Sequence, residues 1–141
     1  MVMPRGGYTA VLDAIIAGGF CPFCEEHLFK HHKNPVEEIT DLWIVTRNAW
    51  PYPGSTHHFL FIPREHVETV ESLTDEQWLG FHRLYRTLVN RYSFVGATHF
   101  FRSGKTAITG ASVNHLHAHL VVGGMRTENS APIKAIIGFS A

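Results

Sequence analysis

Near the C-terminus three histidines alternate with apolar residues: His115-Leu116-His117-Ala118-His119, running on into Leu120-Val121-Val122. Alternation of period two predicts a β-strand, here over Asn114–Val122, with the three imidazoles on one face. Neighbouring rings on that face would stand roughly 6–7 Å apart, from a rise of about 3.3 Å per residue. Three such groups can share one phosphate or one metal ion. Histidine is also the side chain that serves as nucleophile, acid, base or ligand near neutral pH. A plain strand with polar histidines, or a strand whose histidines all bind metal, are the alternatives to catalysis.

The other elements follow from the same periodicities. Leu42–Thr46, His58–Ile62 and Ala97–Arg102 are β-branched or aromatic and predict strands. Thr74-Asp75-Glu76-Gln77 has the form of a capping box, and Trp78, Phe81, Tyr85, Leu88 and Tyr92 recur every three or four residues. They predict one long helix over Asp75–Tyr92 with an apolar stripe on the sheet. A short helix is expected from Thr9 to about Ala17, closed by Gly18-Gly19. Glu25–Glu38 and Ser103–Ala111 read as loops, and Ile133–Phe139 as a short final strand. The expected class is α+β: an antiparallel sheet of about five strands with one long and one short helix, in a single domain over residues 1–141.

Composition narrows the partners. Twelve basic and twelve acidic residues cancel, so no general attraction to nucleic acid or to a membrane surface is expected. No apolar run reaches the roughly 18 residues of a membrane helix. Val11–Phe20 is interrupted by Asp13 and lacks a small-residue cleavage site, so a cytoplasmic chain is expected. The only cysteines, Cys21 and Cys24, form a C-x-x-C. That spacing suits metal binding, a redox pair or two packed thiols, and not a disulfide framework.

Residues 112–122 resemble the signature of the histidine-triad superfamily. His58-Phe59-Leu60-Phe61-Ile62-Pro63-Arg64-Glu65-His66 is similar to that family's His-x-Leu-x-Ile-Pro-x-x-His segment. Cys21-Pro22-Phe23-Cys24 resembles the zinc-bearing knuckle of bacterial members. The likeness spans about residues 20–124. It implies a homodimeric, nucleotide-binding hydrolase or nucleotidyl transferase. Such an enzyme would cleave a nucleoside phosphoramidate or dinucleoside polyphosphate at the α-phosphorus through a nucleotidyl-histidine.

The resemblance also implies roles. His117 would be the nucleophile, its tautomer set by a nearby backbone carbonyl, and His119 would meet the phosphate and the departing group. Ser112 falls where members place a phosphate-contacting hydroxyl, and Asn48 where they place a ribose ligand. A structural zinc would be held by Cys21, Cys24, His66 and His115. Phe23, Leu42 and Ile44 are candidate walls for the base, and register with His66 selects His58 over His57 for the family's upstream histidine. One departure stands out: Ala111 occupies the position where many hydrolases of the family carry Gln. Lys105, in the loop just upstream, is the candidate replacement. The missing contact equally suits a nucleotide-binding or zinc-binding interaction protein with little catalysis.

Overall fold

A computed structural model describes residues 21–24, 26–28 and 36–141. The helix expected from Thr9 lies outside them. The strands are β1 (Val36–Ile39), β2 (Trp43–Arg47), β3 (His57–Pro63), β4 (Thr98–Arg102) and β5 (His117–Val122). They form one antiparallel sheet in the order β1-β2-β3-β5-β4. A 3₁₀ turn at Val70–Ser72 leads into the long helix α1 (Asp75–Tyr92), and a four-residue helix α2 (Thr106–Thr109) follows β4. The expected α+β class and antiparallel sheet are what is found.

Alternation gives the sheet two different faces. On one, Trp43, Val45, Phe59, Phe61, Ala118 and Leu120 pack against Phe81, Leu84 and Leu88 of α1. Phe59 and Phe61 are wholly buried there, each contributing about 1.5–3 kcal/mol of transfer free energy. Gly80 lets α1 approach: a Cβ there would stand 3.2 Å from Trp43 Cδ1. The opposite face carries Ile44, Leu60 and Ile62, packed with Leu28 and Phe23. On this second face lie His117 and His119. Leu42 does not join them. It precedes the start of β2 and packs on the α1 side, so of the three expected walls only Phe23 and Ile44 lie on the histidine face.

The capping box forms as expected. Gln77 N–H donates to Thr74 Oγ1 at 3.1 Å, and Thr74 N–H donates to Gln77 Oε1 at 2.8 Å. Thr74→Ala should therefore cost about 1 kcal/mol, seen as a lower denaturant midpoint with an unchanged slope. The apolar stripe is rotated from the expected one: Leu84 is buried within it, while Trp78 is 46% exposed. Trp78 stacks instead along the edge of the cluster, against Phe81 and Phe101.

Four boundaries depart from expectation. β1 lies inside the expected 25–38 loop, because Glu37 and Glu38 mask its pattern. Both acids are held by Arg91, at 3.0 and 2.7 Å. β5 begins at His117 and not at Asn114, because the backbone just before it is used elsewhere. Leu116 N–H donates to Val67 O, and the His115 carbonyl accepts from the His117 ring. α2 interrupts the expected 103–111 loop, ending on Gly110 at φ 80°. Residues 133–139 form no strand. They cross the histidine face as irregular chain, with the Ile136 carbonyl fixed by Arg102 Nη1 at 2.7 Å. No helix among the described residues is long and apolar enough to cross a membrane.

Candidate active site and metal cluster

Each triad histidine has a different set of neighbours. His117 is buried, and its Nδ1–H donates to the backbone carbonyl of His115 at 2.8 Å. A neutral imidazole carries one proton, so Nε2 of His117 keeps its lone pair. Burial pushes the His117 pKa down to about 4, helped by the nearby charge of Arg102 and opposed by the bond to His115. The ring is therefore neutral at physiological pH. The edge of Phe23 meets it with centroids 5.0 Å apart.

His119 sits two residues on, its ring centre 5.2 Å from that of His117. Its tautomer is set from a distance. Tyr52 N–H donates to His58 Nδ1 at 3.1 Å, so the His58 proton is on Nε2. That proton points to His119 Nδ1, 2.8 Å away, and leaves the His119 proton on Nε2. Asn48 Nδ2 lies 3.2 Å from the same His58 nitrogen. Two N–H groups cannot bond to one another, so this is a packing contact. Asn48 Oδ1 accepts from Trp50 N–H at 2.9 Å, so the Asn48 amide braces the loop behind His58. Burial also drives the His119 pKa well down, aided by His117, His58 and Arg102. Its Nε2 is buried and meets no hydrogen-bond partner among the described residues. A buried N–H without a partner is uncommon and marks a place for an acceptor.

Aromatic groups hold His119 in this position. Phe100 stacks on it at 4.8 Å and Tyr52 at 5.8 Å, both within 10° of parallel. Tyr52 and Phe100 also line a cavity of about 170 Å³ whose outer wall includes Ile133.

His115 faces away from this pair. Its Nε2–H donates to Pro63 O at 2.7 Å, which turns the Nδ1 lone pair towards Cys21 Sγ (3.5 Å) and Cys24 Sγ (3.7 Å). His66 does the same: Nε2 is 3.3 Å from Glu68 Oε1, and Nδ1 is 3.3 Å from Cys24 Sγ. The four ligand atoms all lie within 4.8 Å of one another. With bonds of about 2.3 Å to sulfur and 2.0–2.1 Å to nitrogen, the edges of a tetrahedral zinc site measure roughly 3.3–3.8 Å. The three S···N separations given above, 3.3–3.7 Å, fall in that range. Both imidazoles are oriented through their second nitrogen, as metal-bound histidines are. Burial and the adjacent Cys21 push the Cys24 thiol up to about 11. A divalent cation between the sulfurs would reverse that, because it stabilises the thiolates. The donor set fits zinc.

The remaining expected residues lie around this centre. Ser112 is exposed in the bend after α2, three positions before His115. Lys105 is exposed at the start of α2 and makes no side-chain hydrogen bond among the described residues. Arg102 was not anticipated from sequence. The register of β4 with β5 places it directly opposite His117 and puts Phe100 opposite His119. Only that pairing reveals them, and sequence alone does not supply it. Tyr52 also serves the site from the loop between β2 and β3: its backbone N–H sets the His58 tautomer and its ring stacks on His119.

A family model described as "Scavenger mRNA decapping enzyme C-term binding" matches residues 21–131. The chain belongs to this family and to the histidine-triad superfamily. No curated protein sequence matches it. Solved structures of histidine-triad proteins share its fold. A hydrolase of the family from Clostridium thermocellum is 21% identical, with TM-score 0.59, over 81% of this chain and 96% of that one. A zinc-bound histidine-triad protein from Mycobacterium smegmatis is 18% identical, with TM-score 0.59, over 82% of each chain. A diadenosine triphosphate hydrolase from Plasmodium falciparum is 23% identical, with TM-score 0.52, over 72% of this chain and 65% of that one.

Proposed function

We propose that this histidine-triad protein is a nucleotide hydrolase or nucleotidyl transferase. It acts at the α-phosphorus of a nucleoside phosphoramidate or dinucleoside polyphosphate. One observation carries the reading: the hydrogen bonds fix opposite tautomers in two adjacent imidazoles. His117 keeps a lone pair on Nε2 and His119 keeps a proton on Nε2. In the reaction the His117 lone pair forms an N–P bond while the bond from phosphorus to the leaving group breaks. His119 Nε2–H donates to the leaving atom, the amine nitrogen of a phosphoramidate or the bridging oxygen of a polyphosphate, as charge builds there. Water then attacks phosphorus, the N–P bond breaks, its electron pair returns to Nε2, and a nucleoside monophosphate and a proton are released. Ser112 and Lys105 are assigned to the phosphate and Asn48 to the ribose side. Phe23 and Ile44 are assigned to the base.

Cys21, Cys24, His66 and His115 would hold a structural zinc. Bound there, zinc supplies rigidity, because it fixes His115, whose carbonyl sets the His117 tautomer. The active form is proposed to be a homodimer, with α1 carrying exposed Trp78 and Leu79 towards the partner.

His58→Phe removes the N–H that fixes His119 while keeping a ring in its place. Its kcat should fall about 100-fold, the low end of the scale for a positioned proton donor, because His119 itself remains. Incubation with a nucleoside phosphoramidate and with a dinucleoside polyphosphate tests the assignment as a whole. Release of the monophosphate from either supports it. Tight binding of the monophosphate with no release from any substrate would favour the second reading, a binding protein, for which Ala111 is the motivating residue.

A further inference from the structure

Among the described residues, Arg102 is the cation that strand pairing sets beside the triad. It lies opposite His117 in the β4–β5 register and on the same face as His119. Its guanidinium is fixed from three directions. Nη1 donates to Thr109 O at 2.8 Å and to Ile136 O at 2.7 Å, and Nη2 donates to Tyr52 Oη at 3.0 Å. It also sits 5.2 Å from the centre of the Phe100 ring, which itself stacks on His119. Three of its five N–H groups are thereby used. No carboxylate pairs with it among the described residues, unlike Arg91, which is paired twice. A half-buried cation with no anion beside it, next to a buried imidazole N–H with no acceptor, describes a place that lacks an anion.

We propose that Arg102 grips a non-bridging oxygen of the phosphoryl group attacked by His117, supplying the phosphate contact that Ala111 cannot make. The proposal rests on the nucleotide reading given above and deepens it. Lys105, also assigned to the phosphate, stands exposed just before α2 with no side-chain hydrogen bond among the described residues to hold its ammonium, so its share of the contact is the smaller. Arg102 is already held in position, so little ordering remains when the phosphate arrives. Two N–H groups of its planar guanidinium remain, and such donors suit phosphate. The consequence is a site that recognises the phosphate more than the nucleoside.

Affinity for AMP and GMP, compared with adenosine and guanosine, isolates that contact by calorimetry on the full chain. The wild-type protein should prefer the monophosphates. Arg102→Gln should lose about 10–100-fold in AMP and GMP affinity, the scale of a charge-assisted hydrogen bond, with nucleoside affinity unchanged. Arg102→Lys, which keeps the charge and loses the planar donors, should fall between. If Arg102→Gln weakens nucleotide and nucleoside equally, the residue is only a strut for the Ile136 segment and the proposal fails. It also fails if Lys105→Gln, and not Arg102→Gln, removes the preference. A wild-type chain that binds no monophosphate would overturn the nucleotide reading itself, a separate and earlier failure.

Discussion

His117→Ala should lower turnover of the substrate by at least about 10³-fold, because nucleophile and leaving-group chemistry act as one unit. Melting temperature should change little, and zinc content not at all. The reasoning is local. His117 contributes its Nε2 lone pair, and no neighbour can replace it. His119 carries its proton on the equivalent nitrogen, and His115 has its free nitrogen turned to the cysteines. The ring is buried but sits beside Phe23, so truncation leaves a small cavity at the site and none in the main core under α1. Steady-state rates, metal analysis and a melting curve on the same preparation check all three points. Full activity in the variant would remove His117 from the mechanism.

Loss of the metal should have the second-largest effect. The purified chain should contain one zinc per chain, and Cys24→Ser or a strong chelator should remove it. At free zinc a thousandfold above Kd, binding stabilises the fold by about 4 kcal/mol. Removal should then lower Tm by roughly 14 °C at this chain length. The rate should also fall, because the His115 carbonyl that orients His117 is no longer held from behind. The cluster joins the 21–24 knuckle, the turn carrying His66 and the lead into β5, so its loss loosens three segments together. A chain that purifies without zinc and melts at the same temperature after Cys24→Ser would show that the thiols merely pack. Two or more zinc ions per chain would instead point to metal on the triad itself.

The sequence told most about the long helix and the central strands. Thr74 and Gln77 sit at a spacing with one physical meaning, and the triad alternates too regularly for a helix. β1 was hidden because its two central residues are glutamates that find Arg91 only in the folded chain. The early end of regular pairing before His117 was hidden as well, since it depends on where the Leu116 N–H and the His115 carbonyl find partners. At the site, C-x-x-C announced two ligands, but His66 and His115 entered through a family likeness and not through spacing. The split of the triad into a lone pair and a proton depends on Tyr52 N–H and His58, over 50 residues upstream of His119. Arg102 depends on strand register, which no local pattern encodes.

The most direct test of the central claim is to trap the covalent intermediate. The protein is mixed with a substrate labelled at the α-phosphorus and quenched in alkali, where a phosphorus–nitrogen bond to histidine survives. The label is then located by peptide mapping. The account predicts label on the peptide containing His117 in the wild-type chain, and none in His117→Ala. Label on another residue, or brisk turnover with no labelled protein at any time, would contradict it.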